Sequence, residues 1–263
     1  MIKPVKRIRI TDKDRVSMSQ ACEGVSILQG EQPSDYAGRV VVKPWGYEHI
    51  IFQNEYVAIW FLMIMKDHAT SMHCHPLKKT SLSLLSGKAF CNTFKHRSFL
   101  QAGDSVIFDA GVFHSTKAIS LDGLMLIEVE TPPNKLDLVR LEDGYGRQNS
   151  GYEGICHMHT SMLDDYGYFY LSAPGSDGIA DSRHVRAGRF SMSLESYDEQ
   201  NRFEPSMIDA GSQYCVCKGA LNDGNGKVLL DLGEVEKGAY LQKSDVIVAK
   251  LPLQLLKMTI FER

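Results

Sequence analysis

Two histidines separated by one residue, His73 and His75 in "SMHCHPLKKTSLSLLSGK", are the side chains best placed to do chemistry. On a β-strand, residues i and i+2 point to the same face, so this pair can aim two imidazoles into one cavity. A third donor must come from another strand. The segment "AGDSVIFDAGVFHSTKA" offers His114, just after a glycine turn and near a predicted strand start. Three neutral imidazoles with open coordination positions suit a first-row divalent ion: zinc first, with iron, manganese, cobalt or nickel as alternatives. A lone His-x-His is more often solvent-facing strand decoration, so the case rests on its surroundings.

The elements that must hold these histidines are short. Apolar runs such as "EHIIF", "YVAIWFLMIM", "SLSLL", "SVIF" and "LMLIEV" are punctuated by turn formers, among them "QGEQPSD", "SGK", "AGD", "DAG" and "TPPN". Many short strands broken by glycine and proline predict an all-β sandwich or barrel, and no long helical periodicity stands out. Composition shifts near residue 150, in "EDGYGRQNSGYEG", and a second strand-rich segment follows with a strong hairpin turn at "NDGNGK". The expected organisation is an N-terminal arm with one or two strands over residues 1–38, a first β domain over 39–150 and a second over 151–263.

Composition excludes several functions. With 263 residues, 43% hydrophobic and 23% charged, the chain reads as globular, and its formal net charge of -3 argues against a nucleic-acid or anionic-membrane footprint. The longest apolar run, "YVAIWFLMIM", is too short to span a bilayer. With no signal-peptide core at the start, a cytoplasmic location is expected. The six cysteines are scattered and read as reduced thiols, with Cys215 and Cys217 of "CVC" expected to pack on one strand face. A second His-x-His, His157 and His159, has no glycine at the matching distance and reads as linker. His68, His96 and His184 stand alone.

Two spaced motifs resemble those of the cupin family, G-x5-H-x-H-x3,4-E-x6-G followed by G-x5-P-x-G-x2-H-x3-N. Here the first runs His73-x-His75-x4-Thr80-x6-Gly87, and the second runs Gly103-x5-Asp109-x-Gly111-x2-His114-x3-Ala118. The departures are the missing leading glycine near Lys66, Thr80 for Glu, Asp109 for Pro and Ala118 for Asn. The resemblance implies a double-stranded β-helix, or jelly-roll, with the site inside. The whole chain would then be a bicupin whose second barrel is degenerate, since no histidine follows residue 184.

Residues 39–147 resemble more closely the cupin domain of type II mannose-6-phosphate isomerases, in "VVKPWGYEHIIF", "LSGKAF" and "LMLIEVETPPNKLDLVRLEDGYGR". That family shows Q-x-H-x4-E-H. In register, His73 stands for the Gln, His75 for the first His, Thr80 for the Glu and Ser81 for the second His, with His114 kept. The resemblance implies a sugar-phosphate-isomerase-like metalloenzyme that moves a proton on a phosphorylated or nucleotide-linked sugar, with a place in surface polysaccharide synthesis. Because Thr80 replaces the carboxylate, a three-histidine metal site is expected. Candidate bases are Glu128, on the strand after the second motif, and Lys79, beside Thr80. Arg140 and Arg147 match arginines of the family, and guanidinium forks suit phosphate. Arg147 is the first choice as anchor, with an ion pair to Glu142 or Asp143 as the ordinary alternative; Lys43 is a further candidate. Trp45 and Tyr47 are expected to pack at the barrel rim. Two other readings stay open: a three-histidine iron dioxygenase, which tolerates the absent carboxylate, and a non-catalytic sugar-binding or regulatory cupin. The expected partner is a small sugar ligand, with neither nucleic acid nor membrane, and pairing into a homodimer is left open.

Overall fold

The structure is a computed structural model that describes residues 4–22, 33–148, 150–171 and 184–261. The side chains of Cys22 and His184, and most of the turn "QGEQPSD", lie outside the described residues. The arm supplies β1 (Lys6–Ile8) and α1 (Asp12–Cys22). The first domain runs through β2 (Val40–Lys43), β3 (Gly46–Gln53), β4 (Ala58–Ile64), β5 (Met72–Cys74), β6 (Lys79–Ser86) and β7 (Lys88–Thr93). It continues through β8 (Arg97–Gln101), β9 (Ser105–Phe108), β10 (His114–Ala118), β11 (Leu124–Thr131), β12 (Val139–Glu142) and β13 (Met158–His159). The second segment contributes β14 (His184–Ala187), β15 (Phe190–Tyr197), β16 (Ser212–Asp223), β17 (Val228–Leu230), β18 (Val235–Lys237), the short α2 (Gly238–Leu241) and β19 (Ile247–Ile260).

These strands build the predicted double-stranded β-helix. One sheet has eight strands in the order β1-β9-β6-β11-β4-β3-β2-β13, and the facing sheet has five in the order β12-β5-β10-β7-β8. Alternation along each strand turns one set of side chains into the space between them. Ile50, Trp60, Leu62, Leu82, Leu84 and Leu126 meet Ala89, Cys91 and Ala118 there in one buried cluster. Gly87 of the first motif joins β6 to β7 at φ 86°, and a Cβ there would lie 2.5 Å from the carbonyl oxygen of Gly123, so a side chain is excluded.

The opposite face of the eight-stranded sheet is also buried. Ile51, Ile59, Phe61, Leu85 and Ile127 pack against Phe190, Met192, Cys215, Cys217, Leu256 and Met258 of a six-stranded sheet. That sheet runs β14-β15-β19-β16-β17, with β18 on β16. Among the described residues the second half forms this one sheet, whose far face carries a smaller core of Tyr214, Val216, Leu241 and Leu255. Cys215 and Cys217 are free and buried, as packing requires.

Two features depart from the sequence reading. Among its described residues the arm holds one strand, as expected, and also a helix that was not. The helix start is written in "TDKD": the Asp14 carboxylate accepts the Thr11 backbone N–H at 2.8 Å, and the Thr11 hydroxyl accepts the Asp14 N–H at 3.3 Å. The segment 151–171, grouped with the second half on composition, stays on the first barrel. There β13 pairs with β2, Tyr168 accepts the Gly38 N–H at 2.7 Å, and the Leu171 N–H bonds Ile51.

Candidate metal centre

His73 lies in β5, His75 just after it, and His114 opens β10, where it stands directly across from His73. These three come from the five-stranded sheet. The fourth member comes from the other side of the barrel. Glu128 on β11 pairs with Leu82 of β6 and Trp60 of β4, which turns its carboxylate inward. Ligand atoms of His73, His75, His114 and Glu128 all lie within 4.8 Å of one another, and all four residues are buried.

The three imidazoles are held in fixed orientations. Nδ1 of His73 donates to the Ser71 carbonyl at 2.8 Å, that of His75 to the Asp137 carbonyl at 2.7 Å, and that of His114 to the Val112 carbonyl at 3.0 Å. A carbonyl only accepts, so Nδ1 carries a proton in each ring and Nε2 is the nitrogen left to meet a metal. His75 Nε2 is buried without a hydrogen bond, 3.5 Å from Glu128 Oε1. Burial and the neighbouring imidazoles push the His73 pKa well below its ordinary value, and that of His114 down to about 4, so both are neutral at physiological pH. Burial would raise the Glu128 carboxyl, yet His75, Lys135 and Lys78 hold it well below the usual range. Three imidazoles and one carboxylate fit a divalent cation, and the buried unpartnered Nε2 of His75 is what such an ion would satisfy.

The expected three-histidine site therefore has a carboxylate after all. Thr80 stays on the barrel interior opposite Glu130, with its hydroxyl buried and unpartnered. Glu128 supplies the charge from the neighbouring strand, which recasts it from candidate base to candidate ligand. Lys79 is placed elsewhere. The even-numbered residues Thr80, Leu82 and Leu84 face inward, so Lys79 faces the second sheet, where its Nζ pairs with Glu234 at 2.9 Å. Its neighbour Lys78, 1% exposed, turns inward instead.

Lys43, Arg140 and Arg147 line the same pocket as His73, His75 and Glu128, a small cavity of about 50 Å³ that is partly open to solvent. None is a bare cation. Lys43 pairs with Glu48 at 3.3 Å and with Glu153; Arg140 pairs with Glu153 at 3.1 Å; Arg147 pairs with Asp143 at 2.7 Å and Glu153 at 2.6 Å. The ordinary alternative for Arg147, a pair with Asp143, is thus present alongside its place on the pocket wall. Trp45 is buried in the barrel core and lines the pocket, whereas Tyr47 faces outward against Phe61 and Tyr166. His68, His96, His157 and His159 stay outside the cluster.

Sequence reasoning missed the polar wall around the cluster. Lys78 and Lys135 bracket Glu130 at 2.8 and 3.2 Å, and Lys135 also reaches Glu48 at 3.1 Å across the face of Trp60. Tyr152 donates to Glu48. Parity was the available signal: Glu130 lies two residues beyond Glu128 in "IEVE", on the same strand face.

No protein-family model and no curated protein matches this chain. Solved structures do. The chain is similar to KdgF from a Halomonas species, at 13% identity and a TM-score of 0.35 over 40% of this chain and 96% of that one. It is similar to an RmlC-like cupin from Shewanella frigidimarina, at 18% identity and 0.31 over 41% and 87%. The capsular polysaccharide assembling protein CapF from Staphylococcus aureus is matched at 15% identity and 0.35, over 40% of this chain and 34% of CapF.

Proposed function

We propose that the protein is a metal-dependent cupin enzyme that moves a proton beside a carbonyl of a phosphorylated or nucleotide-linked sugar, as isomerases and epimerases do. The observation that carries the metal half of this reading is the convergence of His73, His75, His114 and Glu128 with all three Nδ1 atoms anchored on backbone carbonyls. Zinc is the first candidate for such a donor set, with iron, manganese, cobalt or nickel behind it. When bound, the ion polarises a sugar oxygen and acidifies the neighbouring C–H.

The chain's own residues do the rest. Five cations line the pocket: Lys43, Lys78, Lys135, Arg140 and Arg147. Each is paired with a carboxylate, Glu48, Glu130, Glu153 or Asp143, and with such a partner displaced they suit an anionic, phosphate-bearing ligand. Glu128 belongs to the metal cluster, so the proton falls to another carboxylate. Glu48 is our candidate: it meets Lys43, Lys135 and Tyr152 through Oε1. Although burial raises its carboxyl, Lys135 and Lys43 hold it below the ordinary range, so it stands ionised to accept a proton. The dioxygenase reading drew its strength from a missing carboxylate, and Glu128 removes that reason. A role in polysaccharide synthesis belongs to this proposal through the sugar ligand alone.

The test is nuclear magnetic resonance of hexose phosphates and nucleotide-linked hexoses in D2O with the zinc-loaded protein. Deuterium entering the carbon beside the carbonyl, and its loss in Glu48→Gln, is the expected result. Oxygen consumption by the iron-loaded protein without exchange would favour the dioxygenase, and neither activity in a metal-replete protein would favour the sugar-binding module.

A further inference from the structure

Lys43, Arg140 and Arg147 converge on a single carboxylate. Glu153 Oε1 accepts from Arg147 Nη1 at 2.6 Å and from Arg140 Nη2 at 3.1 Å, while Oε2 accepts from Lys43 Nζ. All three cations line the pocket of the histidine cluster, and Arg140 stands directly across from His73 on the β12–β5 ladder, so this seat adjoins the metal centre. Arg140 keeps one donor in reserve: its Nε is buried without a partner, although Nη1 reaches Ser150 and Gly151. Glu153 lies outside regular structure, between β12 and a single 3₁₀ turn at Ile155–His157.

Glu153 brings one charge and two acceptor oxygens to three cations, of which Lys43 also meets Glu48 and Arg147 also meets Asp143. A phosphate monoester brings up to two charges and three acceptor oxygens, and matches guanidinium forks equally well. We infer that Glu153 is a built-in stand-in for the ligand's phosphate, holding Lys43, Arg140 and Arg147 in place and yielding that seat to a phosphate dianion when ligand enters. The inference rests on the proposed phosphorylated ligand and adds how the site admits it. Glu153 then tunes affinity: it keeps the cations ordered and competes with whatever anion arrives.

The experiment is calorimetric titration of the full-length, metal-loaded protein with inorganic phosphate, comparing wild type with Glu153→Gln. Phosphate should bind Glu153→Gln at least about tenfold more tightly, and adding Arg147→Met should cancel the gain. Equal or weaker binding by Glu153→Gln overturns the inference. If that variant fails to fold in buffer, refolding in millimolar phosphate supports the seat, and failure to refold there overturns it. Displacement of bound phosphate by a hexose phosphate or by a nucleoside diphosphate identifies the source of the anion; displacement by neither overturns the assignment to a ligand's phosphate. Repeating the titration in His75→Ala/His114→Ala separates the two claims, because the gain survives there if the seat is right, whatever becomes of the metal reading.

Discussion

At the scale of single residues, the site turns on where one negative charge comes from. The resemblance to the cupin motifs put Thr80 in the carboxylate position and singled out the three histidines, which their spacing alone would not have done. That Glu128 joins them was not legible, because its inward aim depends on pairing with Leu82 and Trp60, contacts far apart in sequence. Glu128→Gln, which keeps the shape and removes the charge, should weaken metal binding by more than the roughly 10–100-fold typical of losing an outer-shell partner. Competition against a chromogenic chelator measures this; unchanged affinity would return the site to three histidines. A second residue-scale prediction concerns His49. It is buried among Phe61, Tyr168 and Phe169 with neither ring nitrogen hydrogen-bonded, and burial lowers its pKa to about 4, opposed by Glu48. The unfolded chain takes up that proton near pH 6.5, so the neutral ring's contribution is intact above that pH and is lost as pH falls toward 4, by roughly 3 kcal/mol. Denaturant unfolding at pH 7 and pH 4.5 should show His49→Leu losing less stability than wild type between the two; parallel losses would contradict the account.

At the scale of elements, a one-residue step decides which side chains reach chemistry. Lys79 and Lys78 are adjacent, yet one pairs with Glu234 outside the barrel and the other with Glu130 inside it. The apolar set Leu82 and Leu84 already fixes the inward parity of β6, so the outward aim of Lys79 was readable from the pattern. The helix was readable too, from "TDKD", although its face gives a weak apolar signal. Its Asp14, 2% exposed, accepts the Phe113 N–H at 2.9 Å, one residue before His114. Asp14→Ala should cost about 1–3 kcal/mol for the buried N–H left unpaired, and should weaken metal binding without touching a ligand. Thermal unfolding with and without metal tests both; a loss of stability with unchanged metal affinity would make the helix a cover only.

At the scale of the molecule, three sheets of described residues hold two cores between them and a third on the far face of the six-stranded sheet, which covers the outer face of the barrel. The strand-rich character of both halves was legible from short apolar runs and glycine turns. The division at residue 150 was harder to place, because composition marks a loop but cannot show that residues 151–171 return to the barrel. The interface is also polar: Ser81 donates to the Gly233 carbonyl at 2.6 Å, and Ser83, Ser105 and Gln213 form a buried chain with 2.8 Å links. Such contact predicts one cooperative unit. Leu256→Ala, at a fully buried position between the sheets, should cost about 2–5 kcal/mol and lower a single calorimetric transition. Two separate transitions would mean that the halves fold independently.

The central claim is that four buried side chains form one metal site. The direct measurement is elemental analysis by plasma mass spectrometry of protein purified without an affinity tag, as isolated and after exposure to zinc, manganese or iron(II) and desalting. One equivalent of a divalent metal per chain in the wild type, and none in His75→Ala/His114→Ala, is the predicted result. A wild-type protein that retains no metal under any of these conditions, or a double variant that keeps its full equivalent, would contradict the account.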